Sequence, residues 1–371
     1  MSTEISGEEK REAAPTLKSD APVTIGVVGL GRSGWNIHAT YLAKDPKYRL
    51  YAVADPLAER RDEAIEKLGV AKAYATPEEL FQDEDVELVM ISTPSFTHKD
   101  LAIAALRAGK HVQVEKPFAL NVEEADAMIA VANECNRIVT CFQNRRADPD
   151  FLMIRSIIES GKLGRVHLIR MGNYKFERRR DWQTLTSLGG GMLNNWGAHK
   201  LDQALILLDG EYSDFFCDLK RTVSAGDAED HVKVALKGKD GLVIEVEIMS
   251  ACPMPLDGWV VIGERGMVRG SGSRLTMQWY PEGALPPIEA DPGAAKNRSY
   301  GTGEEVPWQI EELKVEAGPS QTQVVYERLW RSIRLGEPLF VTPESVRDQL
   351  ALLDRCRATY TPDGAAKEAA V

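Results

Sequence analysis

The chain reads as an α/β protein in two parts: a doubly wound parallel sheet, then an α/β domain on an open, mostly antiparallel sheet. Three observations predict this. From Val23 to about Cys141 short apolar runs alternate with helix-period stretches, the pattern of parallel strands joined by crossover helices. Several of those runs end in chemistry-bearing residues, at Gly29, Asp55, Thr93-Pro94 and Glu115-Lys116, and such sheets bind ligands beyond the carboxyl ends of their strands. After about Arg146 the texture changes to strand-like runs separated by Gly and Asp turns, which suits an open sheet with helices on one face.

Taken in order, Val23–Gly29 (VTIGVVG) is a buried strand that runs into Gly29-Leu30-Gly31-Arg32-Ser33-Gly34, a G-x-G-x-x-G opening a helix. The next strand, Arg49–Ala54, ends in Asp55, about 20 residues past Gly34. Asp55 followed by Pro56 also has the form of a helix cap, and Arg60 and Arg61 on the helix beyond it are expected to face solvent. Leu88–Ser92, His111–Glu115 and Ile138–Cys141 continue the strands; Leu101–Ala108 and Val122–Asn133 carry helix periods. Thr76-Pro77-Glu78-Glu79 opens a further helix with threonine as cap and proline in its first turn. In the second part Phe151–Gly161 and Gly191–Leu208 read as helices and Val166–Phe176 as a strand. Strands follow at His231–Leu236, Leu242–Met249, Trp259–Gly263 and Met267–Arg269. Residues 281–305, rich in Pro, Gly and Ala, form a surface excursion, and Gln321–Leu335 and Pro343–Thr359 are amphipathic helices.

The glycines have distinct tasks. Gly29 allows a tight turn, Gly31 lets the backbone approach a pyrophosphate, and Gly34 lets helix and strand pack closely; free N–H groups at the helix start then meet the anion. A carboxylate at Asp55 accepts from ribose hydroxyls and repels a 2′-phosphate, which favours NAD over NADP. Thr93, Pro94, His98 and Glu115 fall on the same edge, with His98 starting a helix and shaping the nicotinamide pocket. Lys116 stands where this sheet presents a side chain to a substrate.

Bulk properties bound the rest. At 371 residues the chain suggests two domains, and its 43% hydrophobic and 27% charged residues suit a soluble globular protein. A formal net charge of −11 argues against nucleic acid or an anionic membrane as partner. Five scattered cysteines (Cys135, Cys141, Cys217, Cys252, Cys356) without C-x-x-C fit reduced thiols in the cytoplasm and supply no metal site. No apolar run approaches the roughly 20 residues that span a bilayer.

GLGRSG, STPSFTH at 92–98, VEKPFAL at 114–120 and GGGMLNNWGAHKLD at 189–202 together resemble the glucose–fructose oxidoreductase / inositol dehydrogenase / MocA family over roughly residues 22–360. The resemblance implies an NAD-binding Rossmann domain (22–145), a substrate and oligomerisation domain (146–340), and a helix at 341–360 packing back on the first domain. Flexible tails at 1–21 and 361–371 complete the expected division. It also implies a homodimer or homotetramer. Lys116 maps onto a lysine that touches nicotinamide and substrate, and His199 onto the family histidine. The family aspartate four residues before that histidine is replaced by Asn195, which can hydrogen-bond but not carry charge.

The residues support related chemistry without the family. Asn195, His199 and Asp202 fall at helix spacing i, i+4 and i+7, on one face. Oxidising a carbinol needs a hydride acceptor and a base, so His199 is expected to take the hydroxyl proton while Lys116 polarises the same oxygen. Asp202 reads as structural. Trp182 and Trp196 can stack on a sugar ring or pack in the core. Among Gln143, Asn144, Arg145 and Arg146, Asn144 and Arg145 are expected to reach substrate. The expected activity is NAD-dependent oxidation of a secondary hydroxyl in a sugar, glycoside or cyclic polyol, C3 of a glucoside being one specific form. Two alternatives stay open: a redox-neutral NAD-dependent glycosidase, and a non-enzymatic sensor of dinucleotide or sugar.

Overall fold

A computed structural model describes residues 20–290, 292–293 and 303–361. The expected tails, but for Asp20, Ala21 and Thr361, and part of the 281–305 excursion lie outside the described residues. The chain divides into two compact units, Met1–Gln143 with Thr322–Arg347, and Asn144–Gln321 with Asp348–Val371.

The first unit holds β1 (Val23–Val28), β2 (Tyr48–Ala54), β3 (Lys72–Tyr74), β4 (Leu88–Ile91), β5 (His111–Val114) and β6 (Val139–Cys141). All pair in parallel, in the order β3-β2-β1-β4-β5-β6. This order reverses at β1 and β4, the switch point where such sheets open a ligand crevice. Short β3 was not expected, because its half-buried Lys72-Ala73-Tyr74 offers no apolar run. A π-helical stretch Gly34–Ala39 leads into α1 (Thr40–Leu42), followed by α2 (Ala58–Leu68), α3 (Pro77–Phe81), α4 (His98–Arg107) and α5 (Val122–Glu134). The Thr76 cap holds as expected: its side chain accepts from the Glu79 N–H while Glu79 reaches back to the Thr76 N–H.

The second unit carries α6 (Pro149–Glu159), β7 (Val166–Tyr174), α7 (Ala198–Leu207), β8 (Asp214–Lys220), β9 (His231–Lys237), β10 (Val243–Met249), β11 (Trp259–Gly263), β12 (Gly266–Ser271), β13 (Arg274–Trp279) and β14 (Gln309–Lys314). Its strand order is β14-β13-β12-β11-β7-β10-β9-β8, antiparallel except that β7 and β10 run parallel. Strands β8, β13 and β14 escaped the sequence reading, because each is largely exposed or half-buried and polar residues interrupt its apolar ones.

Two helices complete the described chain, α8 (Gln321–Leu335) and α9 (Pro343–Arg357). The expected return to the first sheet at 341–360 comes earlier: Val325, Tyr326, Leu329 and Trp330 of α8 bury into the core of the first unit beside Leu30, Leu42, Tyr48 and Phe142. Each such burial stabilises by roughly 1.5–3 kcal/mol, so the larger apolar stripe takes the sheet. Helix α9 is divided: its residues up to Arg347 belong to the first unit and those from Asp348 to the second.

Candidate active site

At the carboxyl edge of the first sheet the three motif glycines do different work. A Cβ on Gly29, whose φ is +88°, would meet the Ser92 carbonyl at 2.5 Å, and one on Gly34 would meet the Gly29 carbonyl at 1.8 Å. Both are required by the fold itself. Gly31 has nothing within 4 Å of its Cβ position, so its openness serves no packing contact. That is the cradle a dinucleotide backbone contact needs, and the edge fits the group. Leu30 is buried, Arg32 exposed and Ser33 half-buried along the same turn.

Asp55 closes the other side of the turn. Its Oδ2 accepts from the Leu30 N–H at 2.8 Å and its Oδ1 from the Leu57 N–H at 3.0 Å. It is not the cap of α2, whose first residue is Ala58 and whose N-cap is Leu57. Arg60 and Arg61 stay partly exposed, as expected, yet both also reach back to Asp55. Arg60 pairs with the Asp55 carboxylate at 3.3 Å and Arg61 donates to the carbonyls of Asp55 and Pro56, because the chain bends before α2 and brings its first turn back over β2.

Lys116 follows β5, half-buried, with a cis peptide to Pro117. Its backbone N–H donates to Glu115 Oε2 at 2.9 Å, and Glu115 Oε1 meets His38 Nε2 at 2.9 Å. His38, fully buried, is held through Nδ1 by the Tyr326 hydroxyl at 2.8 Å. Burial pushes the Glu115 carboxyl up, but the His38 bond and the neighbouring Lys116 charge outweigh it, and it lies below the usual range. This buried chain was missed in the sequence; the histidine just past the glycine motif was its only signal. On the same edge the Thr93 hydroxyl bonds that of Thr97 at 2.6 Å, beside exposed Pro94. His98 begins α4 as expected, its ring nitrogens facing the carbonyls of Pro117 at 2.8 Å and Thr93 at 3.0 Å. Burial lowers its basicity, so a neutral ring donates to one carbonyl at a time.

In the second unit the glycine triplet leads into α7. A Cβ on Gly191, with φ +107°, would strike the Glu229 carboxylate at 2.2 Å, and that carboxylate accepts from the Leu193 N–H at 2.9 Å. Burial pushes Glu229 up. A π-helical stretch, Leu193–Gly197, precedes α7 and widens the turn. The simple count across Asn195, His199 and Asp202 therefore holds only for the last two. The Asn195 amide donates to Gln183 Oε1 at 3.2 Å. His199 is buried in α7, its ring edge-on to Trp196 at 6.3 Å. Asp202 is structural as expected, paired twice with buried Arg146 at 2.6 and 2.8 Å. Asn144 opens the short turn that carries Arg145, whose guanidinium lies 5.0 Å from the centre of the Trp196 ring. Trp182, 57% exposed, joins neither the core nor this group.

A cavity of about 590 Å³ opens in this unit, lined among others by Arg145, Trp196, Lys200 and Trp259. Lys200 and Trp259 were not singled out in the sequence, since a lysine after a candidate histidine and a strand tryptophan carry no motif.

Residues 23–143 match the family model described as an oxidoreductase family with an NAD-binding Rossmann fold, and residues 151–269 match the GFO/IDH/MocA C-terminal domain. The chain is 32% identical over 258 residues to a myo-inositol 2-dehydrogenase of Thermotoga maritima, covering 68% of this chain and 76% of that protein. It is 30% identical over 187 residues to a scyllo-inositol 2-dehydrogenase (NADP(+)) of Bacillus subtilis, covering 50% and 51%. A crystal structure of an NAD-binding protein from Listeria innocua superposes with a TM-score of 0.75 at 28% identity, over 91% of this chain and 97% of that one.

Proposed function

This chain belongs to the Gfo/Idh/MocA oxidoreductase family, with its NAD-binding Rossmann domain, and from that premise we propose that it oxidises a secondary hydroxyl of a sugar, glycoside or cyclic polyol. The observation that carries the reading is Lys116: its backbone is tied to the buried Glu115–His38–Tyr326 chain at the carboxyl end of β5, so its side chain is supported from within the core. In this reading Lys116 donates a hydrogen bond to the reacting oxygen and His199 takes its proton. Asn195 supports the segment before His199 through Gln183 rather than by charge. The open face at Gly31 takes the pyrophosphate, with Asp55 on the ribose and Thr93, Pro94 and His98 beside the nicotinamide. Bound NAD supplies the hydride acceptor. Arg145, Asn144 and Trp196 meet the substrate.

The test is nicotinamide absorbance on mixing the protein and NAD with a panel of sugars, glycosides and inositols. A rise confined to one stereochemical class supports the reading. Net glycoside hydrolysis without reduced cofactor replaces it with the redox-neutral cycle, and tight NAD binding with no turnover replaces it with the sensor.

A homodimer or homotetramer belongs to the same proposal. Leu168, Val243, Ile262 and Met267 stand in register across β7, β10, β11 and β12 and stay half-exposed, and Ile310 continues that face at 66% exposure. An apolar stripe on the outer face of a sheet supports a self-complementary contact.

A further inference from the structure

The cavity in the second unit has a chemistry of its own. Trp196 is the wall it shares with His199, so the space begins within one helical turn of the proposed base. Lys200, only 8% exposed, reaches into it with its ammonium 4.6 Å from the centre of the Trp259 ring. The ammonium donates to Gln203 Oε1 at 3.1 Å and forms no ion pair with the carboxylates around it. Those carboxylates are committed elsewhere. Asp150 accepts from the Trp259 indole at 2.9 Å and from the Phe151 N–H at 2.9 Å; Asp148 accepts from Arg145 at 3.2 Å and from Gln321 at 3.1 Å. A ring face therefore steadies Lys200, and another adds to the Asp148 pairing of Arg145. A ring face stabilises charge without consuming N–H donors, so Lys200 and Arg145 keep donors for a ligand.

Building on the proposed oxidation of a carbohydrate hydroxyl, we propose that this cavity holds a carboxylate on the substrate, which makes the substrate a monoanionic sugar acid or uronide, with Lys200 and Arg145 as its ligands. A neutral polyol leaves a nine-tenths buried ammonium, whose charge burial already disfavours, with only the nearby Asp148 and Asp150 and no direct ion pair to offset it, which is costly. A planar carboxylate matches the guanidinium fork and takes a second bond from the ammonium. A dianionic phosphate suits the space less well, because Asp148 and Asp150 lie close enough to act on Lys200 and repel a second negative charge.

The experiment is calorimetric titration of the full-length protein, saturated with NADH, with matched probes: methyl glucoside against methyl glucuronide, methyl galactoside against methyl galacturonide, and glucose 6-phosphate. NADH formation from each probe is followed in parallel with NAD. The expected result is at least tenfold tighter binding of one uronide than of its neutral partner, with the ratio falling below threefold in Lys200→Met and kept in Lys200→Arg. Arg145→Gln serves as the second variant if Lys200→Met fails to fold. Equal binding of the pair, no binding of any probe, tighter binding of the phosphate, or a preference indifferent to both variants overturns the proposal. Lys200-dependent uronide binding without NADH from any probe keeps the cavity's assignment and removes the dehydrogenase reading. Oxidation of neutral glycosides with no preference does the reverse.

Discussion

At the scale of single residues the dinucleotide edge was legible and its electrostatics were not. Gly29 and Gly34 are glycines because any Cβ there would collide with backbone, and the strand–turn–helix context announces that need. The reach of Arg60 and Arg61 back to Asp55 depends on the bend before α2, which no spacing rule encodes. That contact makes cofactor choice a balance. In the proposed site the Asp55 carboxylate would disfavour a 2′-phosphate, while Arg60 beside it would welcome one. Asp55→Ser should therefore raise kcat/KM for NADP relative to NAD by tenfold or more, with Arg60 taking the phosphate; steady-state kinetics with both cofactors checks this, and an unchanged ratio would remove Asp55 from the ribose site. Asn195 was read from its place in the motif, but its partner Gln183 lies in a separate turn and was invisible. Lys200 was equally invisible, since its meaning comes from Trp259 on a distant strand.

At the scale of elements, long amphipathic or fully apolar segments were found, most with ends within a residue or two, whereas short and one-faced strands were missed. Helix α8 shows the limit: its apolar stripe is plain in the sequence, but its destination against the first sheet depends on which core has room. The packing of β5 against β6 yields a prediction about pH. Burial pushes the His111 imidazole down to about 4, and its Nδ1 accepts from the Ile138 N–H at 3.0 Å. The unfolded chain protonates near 6.5, so between about 6.5 and 4 it binds a proton that the folded chain refuses. His111 thus contributes fully above 6.5, and that contribution, roughly 2–3 kcal/mol, is lost as pH falls to 4. His111→Asn, which keeps an acceptor for Ile138, should flatten that part of the Tm-against-pH curve; parallel curves for the two proteins would show that another group governs it.

At the scale of the whole molecule, the two-part architecture could be read from the change of texture near Arg146, and the division of α9 at Arg347 could not, because no composition shift marks it. The half-exposed stripe on the second sheet predicts association: sedimentation should give a dimer or tetramer, and Leu168→Glu with Ile262→Glu should yield a folded monomer. A monomer in the unmodified protein would leave the stripe unexplained. The central claim concerns Lys116, and the most direct measurement takes one preparation of Lys116→Met and records both NADH binding, by fluorescence titration, and turnover of whichever substrate the unmodified protein oxidises. Cofactor affinity within about threefold of the unmodified protein and turnover reduced at least a thousandfold, a loss of about 4 kcal/mol of transition-state stabilisation, is the result this account predicts. Turnover surviving at near-normal rate would contradict it.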